Sequence, residues 1–224
     1  VTDTPNADFN GSDTVTYTIS DGNGGTATAT VDVTVNPIND DPKAAPVAPQ
    51  SNIDSATVSV PVAGNFSDID GDVLSFDATG LPAGLSIDPD TGEIAGTISS
   101  DASQGGPAGD GVYEVTVTAD DGNGGTVSTT FGWIVTNPAP EATDDIASTD
   151  EDTPVNIPVL ANDSDPDGDA LAVTSATAPN GTVIIEADGT ITYTPNADFN
   201  GTDTITYAIS DGNGGVATAS VTVT

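Results

Sequence analysis

Ser210-Asp211-Gly212-Asn213-Gly214-Gly215 is the stretch that decides how this chain is read. The same six residues stand at 20–25, and Asp120–Gly125 repeats them with Asp120 in place of the serine. Each copy lies between two short runs of alternating apolar residues. Ile205/Tyr207/Ile209 precede the last copy and Ala217/Ala219/Val221/Val223 follow it; Val15/Tyr17/Ile19 and Val115/Val117/Ala119 precede the other two. Alternation with period two marks half-buried strands. A Gly/Asn/Asp cluster between two such runs marks a hairpin turn, because Gly and Asn tolerate positive φ. The chain is therefore built on one repeated hairpin with a carboxylate at its tip.

Working outward, residues 5–25 and 195–215 are identical at 18 of 21 positions, an offset of 190 residues. That offset equals two units of ordinary sandwich size. Residues 1–36 read as the last strands of one module, whose earlier strands are expected upstream. Residues 37–137 read as a second module and 138–224 as a third. Asn36-Pro37-Ile38-Asn39-Asp40-Asp41-Pro42 and Asn137-Pro138-Ala139-Pro140-Glu141 are the linkers, stiffened by proline. Strands are expected in the second module near 56–62, 73–78, 84–87, 93–98, 111–119 and 126–135. In the third they are expected near 154–160, 171–177, 181–186, 190–194, 202–210 and 216–224. No window has helical period. Many short strands with frequent turn signals predict an all-β chain of tandem immunoglobulin-like sandwiches.

The 224 residues hold 35 Asp plus Glu against a single Lys or Arg, a formal charge of −34. Phosphate binding needs Lys or Arg, so a nucleic-acid partner and docking on an anionic membrane are disfavoured. No segment is long and apolar enough to span a bilayer. Folding so acidic a chain calls for counter-charge. With no His, Cys or Met, the available ligands are all oxygen, which suits calcium or magnesium. No thiol or imidazole is present for catalysis, and the lone Lys43 lies beside a linker. The reading is therefore that the chain is not an enzyme.

The third module resembles bacterial cadherin-like repeats of the tandem-95 type. The likeness rests on Glu151-Asp152-Thr153-Pro154-Val155, Val159–Asp169, Gly189–Pro195 and Asp211–Gly215, and residues 1–36 resemble the end of the same family. The second module is similar to dystroglycan-type cadherin-like, or immunoglobulin-like, domains through Asp68-Ile69-Asp70-Gly71-Asp72, Gly80–Asp88 and Thr91–Gly96. The resemblance implies large repetitive surface proteins, including bacterial adhesins, with calcium between or at the ends of modules. It also implies that Glu151 reaches toward the calcium of a following junction.

In a seven-stranded sandwich the B–C and F–G loops lie at the end where the chain enters. At the first junction this collects Asp68, Asp70, Asp72, Asp120, Asp121 and Asn123 with Asn36, Asn39, Asp40 and Asp41 of the linker. At the second it collects Asp163, Asp165, Asp167, Asp169, Asp211 and Asn213 with Asn137 and Glu141. Each set offers six or more oxygen donors, and calcium takes six to eight. A single surface Asp in a turn is best read as a turn former. Three or four alternating carboxylates in one loop exceed what a turn needs, and crowding them without a cation is costly. The start of an EF-hand pattern at Asp163 lacks its closing Glu, since the twelfth position is Thr174, and no helical period flanks it.

The expected role is a calcium-stiffened extender of a large secreted or cell-surface protein. Its partners are neighbouring modules and like chains in a surface fibre. The alternative is a carbohydrate- or ligand-binding accessory module of a secreted enzyme.

Overall fold

The structure, a computed structural model, describes residues 2–224. It opens with the hairpin of β1 (Gly11–Ser20) and β2 (Thr26–Val35), paired antiparallel over their whole length.

The central sandwich follows. It contains β3 (Lys43–Ala44), β4 (Gln50–Ile53), β5 (Thr57–Pro61), β6 (Phe66–Ser67), β7 (Ser75–Thr79), β8 (Leu85–Ile87), β9 (Glu93–Thr97), β10 (Val112–Asp120) and β11 (Thr126–Thr136). One sheet has the order β4-β11-β10-β7, the facing one β5-β9-β8, and β3-β6 close the entry end. The alternation in β10 and β11 places Tyr113, Val115, Val117, Ala119, Phe131, Trp133 and Val135 inward. They pack on Val58, Val62, Ile94 and Ile98 from the other side. Trp133 is fully buried, and its Nε1–H donates to Asn52 Oδ1 at 3.0 Å, which fastens edge strand β4. Burial of an indole is favourable only when its N–H finds such an acceptor.

The C-terminal sandwich repeats the plan. It has β12 (Asp145–Ala147), β13 (Val155–Ile157), β14 (Ala172–Thr177), β15 (Gly181–Ile185), β16 (Ile191–Pro195), β17 (Asp203–Ser210) and β18 (Val216–Val223). Its sheets run β12-β18-β17-β14 and β13-β16-β15. Ile157, Val159, Ile191, Tyr193, Ile205, Tyr207, Ile209, Val221 and Val223 form a core separate from the central one. The all-β, sandwich-type fold is as the alternation predicts.

Two details differ from the strand reading. The chain enters each sandwich through a short strand parallel to the last one, β4 on β11 and β12 on β18. Gln50-Ser51-Asn52-Ile53 and Asp145-Ile146-Ala147 are too short to show a period, so they leave no signal. The run expected at 154–160 is strand only to Ile157; Val159–Asn162 form a 3-10 turn that buries Val159. Among the described residues, no helix is long and apolar enough to cross a membrane.

The two near-identical hairpins share one register but not one environment. Ile209 is fully buried, whereas its counterpart Ile19 is 60% exposed. Ile209→Ala should therefore cost about 2–5 kcal/mol, and Ile19→Ala less than about 0.5 kcal/mol. Urea unfolding of both variants, followed by hydrogen exchange resolved to the C-terminal sandwich, checks this. Equal costs would contradict the exposed placement of the first hairpin.

Candidate metal centres

Each Asp-Gly-Asn-Gly-Gly turn is organised by its first aspartate. Asp121 Oδ1 accepts the backbone N–H groups of Asn123 (2.7 Å) and Gly125 (2.9 Å); Asp211 Oδ1 accepts those of Asn213 (2.8 Å) and Gly215 (2.9 Å). Asp21 does the same for Asn23 and Gly25. Asp121 and Asp211 are both buried, and each uses its second oxygen on a linker: Asn39 Nδ2 donates to Asp121 Oδ2 at 2.8 Å and Asn137 Nδ2 to Asp211 Oδ2 at 2.9 Å. A β-carbon at Gly125 or Gly215 would collide with that oxygen and press on the linker backbone at Asp41 or Ala139. The close approach of linker to turn therefore requires glycine. The Asn39 amide, opposed by burial and reinforced by the turn's N–H groups, holds the Asp121 carboxyl below the usual carboxylate range.

The Asp-x-Asp-Gly-Asp loops are built alike. Asp68 Oδ1 accepts from the N–H of Asp70 (2.8 Å) and Asp72 (3.2 Å); Asp165 Oδ1 accepts from those of Asp167 (3.1 Å) and Asp169 (3.3 Å). Each loop is tied to its turn, Asn123 Nδ2 donating to Asp72 Oδ2 and Asn213 Nδ2 to Asp169 Oδ2. Oxygens of Asp68, Asp72 and Asp121 come within 4.8 Å of one another, as do those of Asp165, Asp167 and Asp169. Asp68 Oδ2 and Asp165 Oδ2 are buried with no hydrogen-bond partner. Buried, unpaired carboxylate oxygens so close together repel and lack solvation. An all-oxygen donor set of this kind fits a hard divalent cation.

The two junctions differ at one backbone atom. The N–H of Asp40 donates to Asp70 Oδ2 at 2.8 Å. Counted from the matching asparagines Asn39 and Asn137, the equivalent residue is Pro138, which has no N–H. Both oxygens of Asp167 are buried there without partners, as is Asn137 Oδ1. Burial, then the Asp165 carboxyl and the Asp169 charge, push the Asp167 carboxyl up to about 7.

The remaining sequence candidates fall in other places. Asn36, Asp40 and Asp70 line a cavity of about 270 Å³ with Asp8 and Asn10 of the first hairpin. Glu151 lies at the far end of the C-terminal sandwich, lining a cavity of about 210 Å³ with Asn200 and Asp203. Asp120 Oδ1 accepts the N–H of Gly122 (2.7 Å), a bond that Ser20 and Ser210 make with their hydroxyls. Glu141 is exposed and pairs through its backbone with Ser164. Asp163 is turned away from the acidic loop: its Oδ1 accepts from the Thr143 N–H, and Tyr207 Oη lies 3.3 Å from both its oxygens.

Two polar knots escaped the sequence reading. Tyr207 Oη meets Asp145, Asp163 and the Thr143 carbonyl, and burial followed by the two carboxylates raises its pKa. Asp203 accepts from Tyr193 Oη (2.7 Å), Asn180 N–H (3.0 Å) and Asn180 Nδ2 (3.2 Å). Burial and the Asp203 carboxylate push Tyr193 up to about 12. The signal for Asp203 was its parity, since it alternates inward with Ile205, Tyr207 and Ile209.

The paired sheets and the repeated entry-end loops define tandem immunoglobulin-like β-sandwiches. Residues 1–34 and 137–224 match the bacterial Ig domain family, and residues 41–136 match a putative Ig domain; the chain belongs to the bacterial Ig domain family. No curated protein sequence matches the chain. Among solved structures it is similar to an endo-fucoidan hydrolase from glycoside hydrolase family 107, at 18% identity over 98% of this chain and 34% of that one, with a TM-score of 0.40. It is similar also to Drosophila N-cadherin EC1-4 (15% identity, 88% of this chain and 51% of that one, TM-score 0.41). Human desmocollin-1 ectodomain gives 18% identity, 91% and 40% coverage and a TM-score of 0.39. The chain thus spans about a third of the hydrolase's length and half or less of the two cadherin structures.

The raised pKa of Asp167 makes metal-free stability depend on pH. In chelator the folded chain keeps this proton up to about pH 7, whereas an unfolded Asp loses it near 3.8. The folded state therefore binds the extra proton between those values, and stability falls as pH rises through that window. Asp167→Asn should flatten this fall and raise the chelated melting temperature at pH 7.5. Calorimetric melts at pH 5 and 7.5 check it; an unchanged slope in the variant would contradict the assignment.

Proposed function

We propose that this chain is an extender segment of a large surface or secreted protein, with modules meeting near residues 36 and 137 and calcium stiffening the joints. Domains of this kind are typical of surface and extracellular proteins. One observation carries the reading: at both joints a linker asparagine, a hairpin-turn aspartate and an Asp-x-Asp-Gly-Asp loop are locked together around carboxylate oxygens that lack partners.

The residues that would hold the ion at the first joint are Asp68, Asp72 and Asp121, with Asp70, Asp40, Asp41 and Asn36 beside them. At the second they are Asp165, Asp167, Asp169 and Asp211, with Asn137. A bound divalent cation would supply the positive charge these oxygens lack. Asn39 and Asn137 hold each linker against the turn, while Asn123 and Asn213 hold the loop in register with it. The modules on either side are strongly acidic, so without counter-charge they repel and the proline-bounded linker pivots. Exposed sites of this type bind calcium at roughly 0.1–1 mM, the range in which the joint would set.

The first joint presents Asp40 and Asp41 where the second has Pro138 and Ala139. It should therefore keep its cation longer as calcium is withdrawn. Small-angle scattering of the whole chain in calcium and then in chelator tests the role. The expected result is a larger maximum dimension and a narrower distance distribution with calcium; identical curves would reject calcium stiffening.

A further inference from the structure

Hairpin β1–β2 is the structural twin of hairpin β17–β18. Val15 faces Val31, Tyr17 faces Ala29 and Ile19 faces Ala27, as Ile205 faces Val221, Tyr207 faces Ala219 and Ile209 faces Ala217. The C-terminal twin is fully clothed. Its apolar face packs in the core with β13 and β16, β14 pairs with the outer edge of β17, and β12 pairs with the outer edge of β18. The N-terminal twin forms a sheet of two strands only, and Tyr17, Ile19 and Val31 are 37%, 60% and 48% exposed. Its polar mates are missing as well. Asp203 accepts from Tyr193 and Asn180, while its counterpart Asp13 accepts from its neighbour Thr14.

What covers this face can be decided by area and by edges. Two such hairpins packed face to face present strips about 34 Å long and 10 Å wide, burying roughly 700 Å² in total, below the 1,200 Å² or so of a stable interface. That arrangement would also leave all the outer strand edges unpaired. The strands of residues 141–199 offer more: a facing sheet, an edge strand for each side, and the acceptors and donors that the phenol and carboxylate of the hairpin require.

We propose that hairpin 11–35 is a complementing element that docks into the cradle formed by residues 141–199 of a second copy, in place of that copy's own hairpin 203–223. Within one chain the tethered C-terminal hairpin occupies the cradle at high effective concentration, so exchange proceeds where the cradle has been vacated. The contact is β-augmentation on two edges at once, with apolar pockets setting the register. It is independent of calcium.

The test mixes the intact chain with a chain of residues 37–200, which retains the cradle but neither hairpin. Native mass spectrometry should show a 1:1 complex, with hydrogen exchange slowed at 11–35 of the intact chain. Ile19→Asp in the intact chain should weaken the complex at least 100-fold. Three results would overturn the proposal: no complex, a complex indifferent to Ile19→Asp, or dimers of the intact chain alone that Ile19→Asp abolishes. The last would make a second hairpin the occupant.

Discussion

The double engagement of one aspartate side chain couples each sandwich to the linker in front of it. In Asp121 and Asp211 one oxygen closes the hairpin turn and the other accepts from the linker asparagine. Both side chains are buried, so their bonds are made out of water, where an unmade one costs about 1–3 kcal/mol. Glycine two and three places on frees the backbone for the turn, and glycine at the fourth lets the linker close on it. A motif that would serve as an ordinary hairpin turn thus becomes a clasp.

The clasp explains where charge accumulates. Holding linker and turn together brings the Asp-x-Asp-Gly-Asp loop to the same end, because that loop's last aspartate accepts from the turn's asparagine. The carboxylates cannot spread apart without breaking bonds that fix the backbone. Repulsion is therefore built in, and counter-charge relieves it. The two joints are not copies. A proline at 138 removes the donor that Asp40 provides at the first joint, and this leaves Asp167 with neither oxygen satisfied. One missing N–H makes the second cluster the more strained of the two when no cation is bound.

Much of this was legible in the residues. Alternation gave the long strands, the repeated hexapeptide gave the hairpins, and the alternating aspartates marked the entry-end loops. Legibility stopped where a role depends on direction rather than type. Asp163 looks like one more acid of its loop, yet its backbone aims it at Tyr207, and no spacing rule separates it from Asp165. Asp120 does the work of the serine it replaces. Gln50–Ile53 and Asp145–Ala147 are strands because a neighbour's edge recruits them, not because their own sequence alternates. The contrast between Ile19 and Ile209 lies wholly in what packs around identical surroundings in the chain.

The central claim is that each joint is a cation site assembled by its clasp and its loop. Calcium titration calorimetry of the intact chain beside Asp68→Ala and Asp165→Ala tests it most directly. The account predicts millimolar or tighter binding in two classes, with each variant losing one class and keeping the other. No heat of binding at millimolar calcium, or a binding isotherm that neither substitution changes, would contradict it.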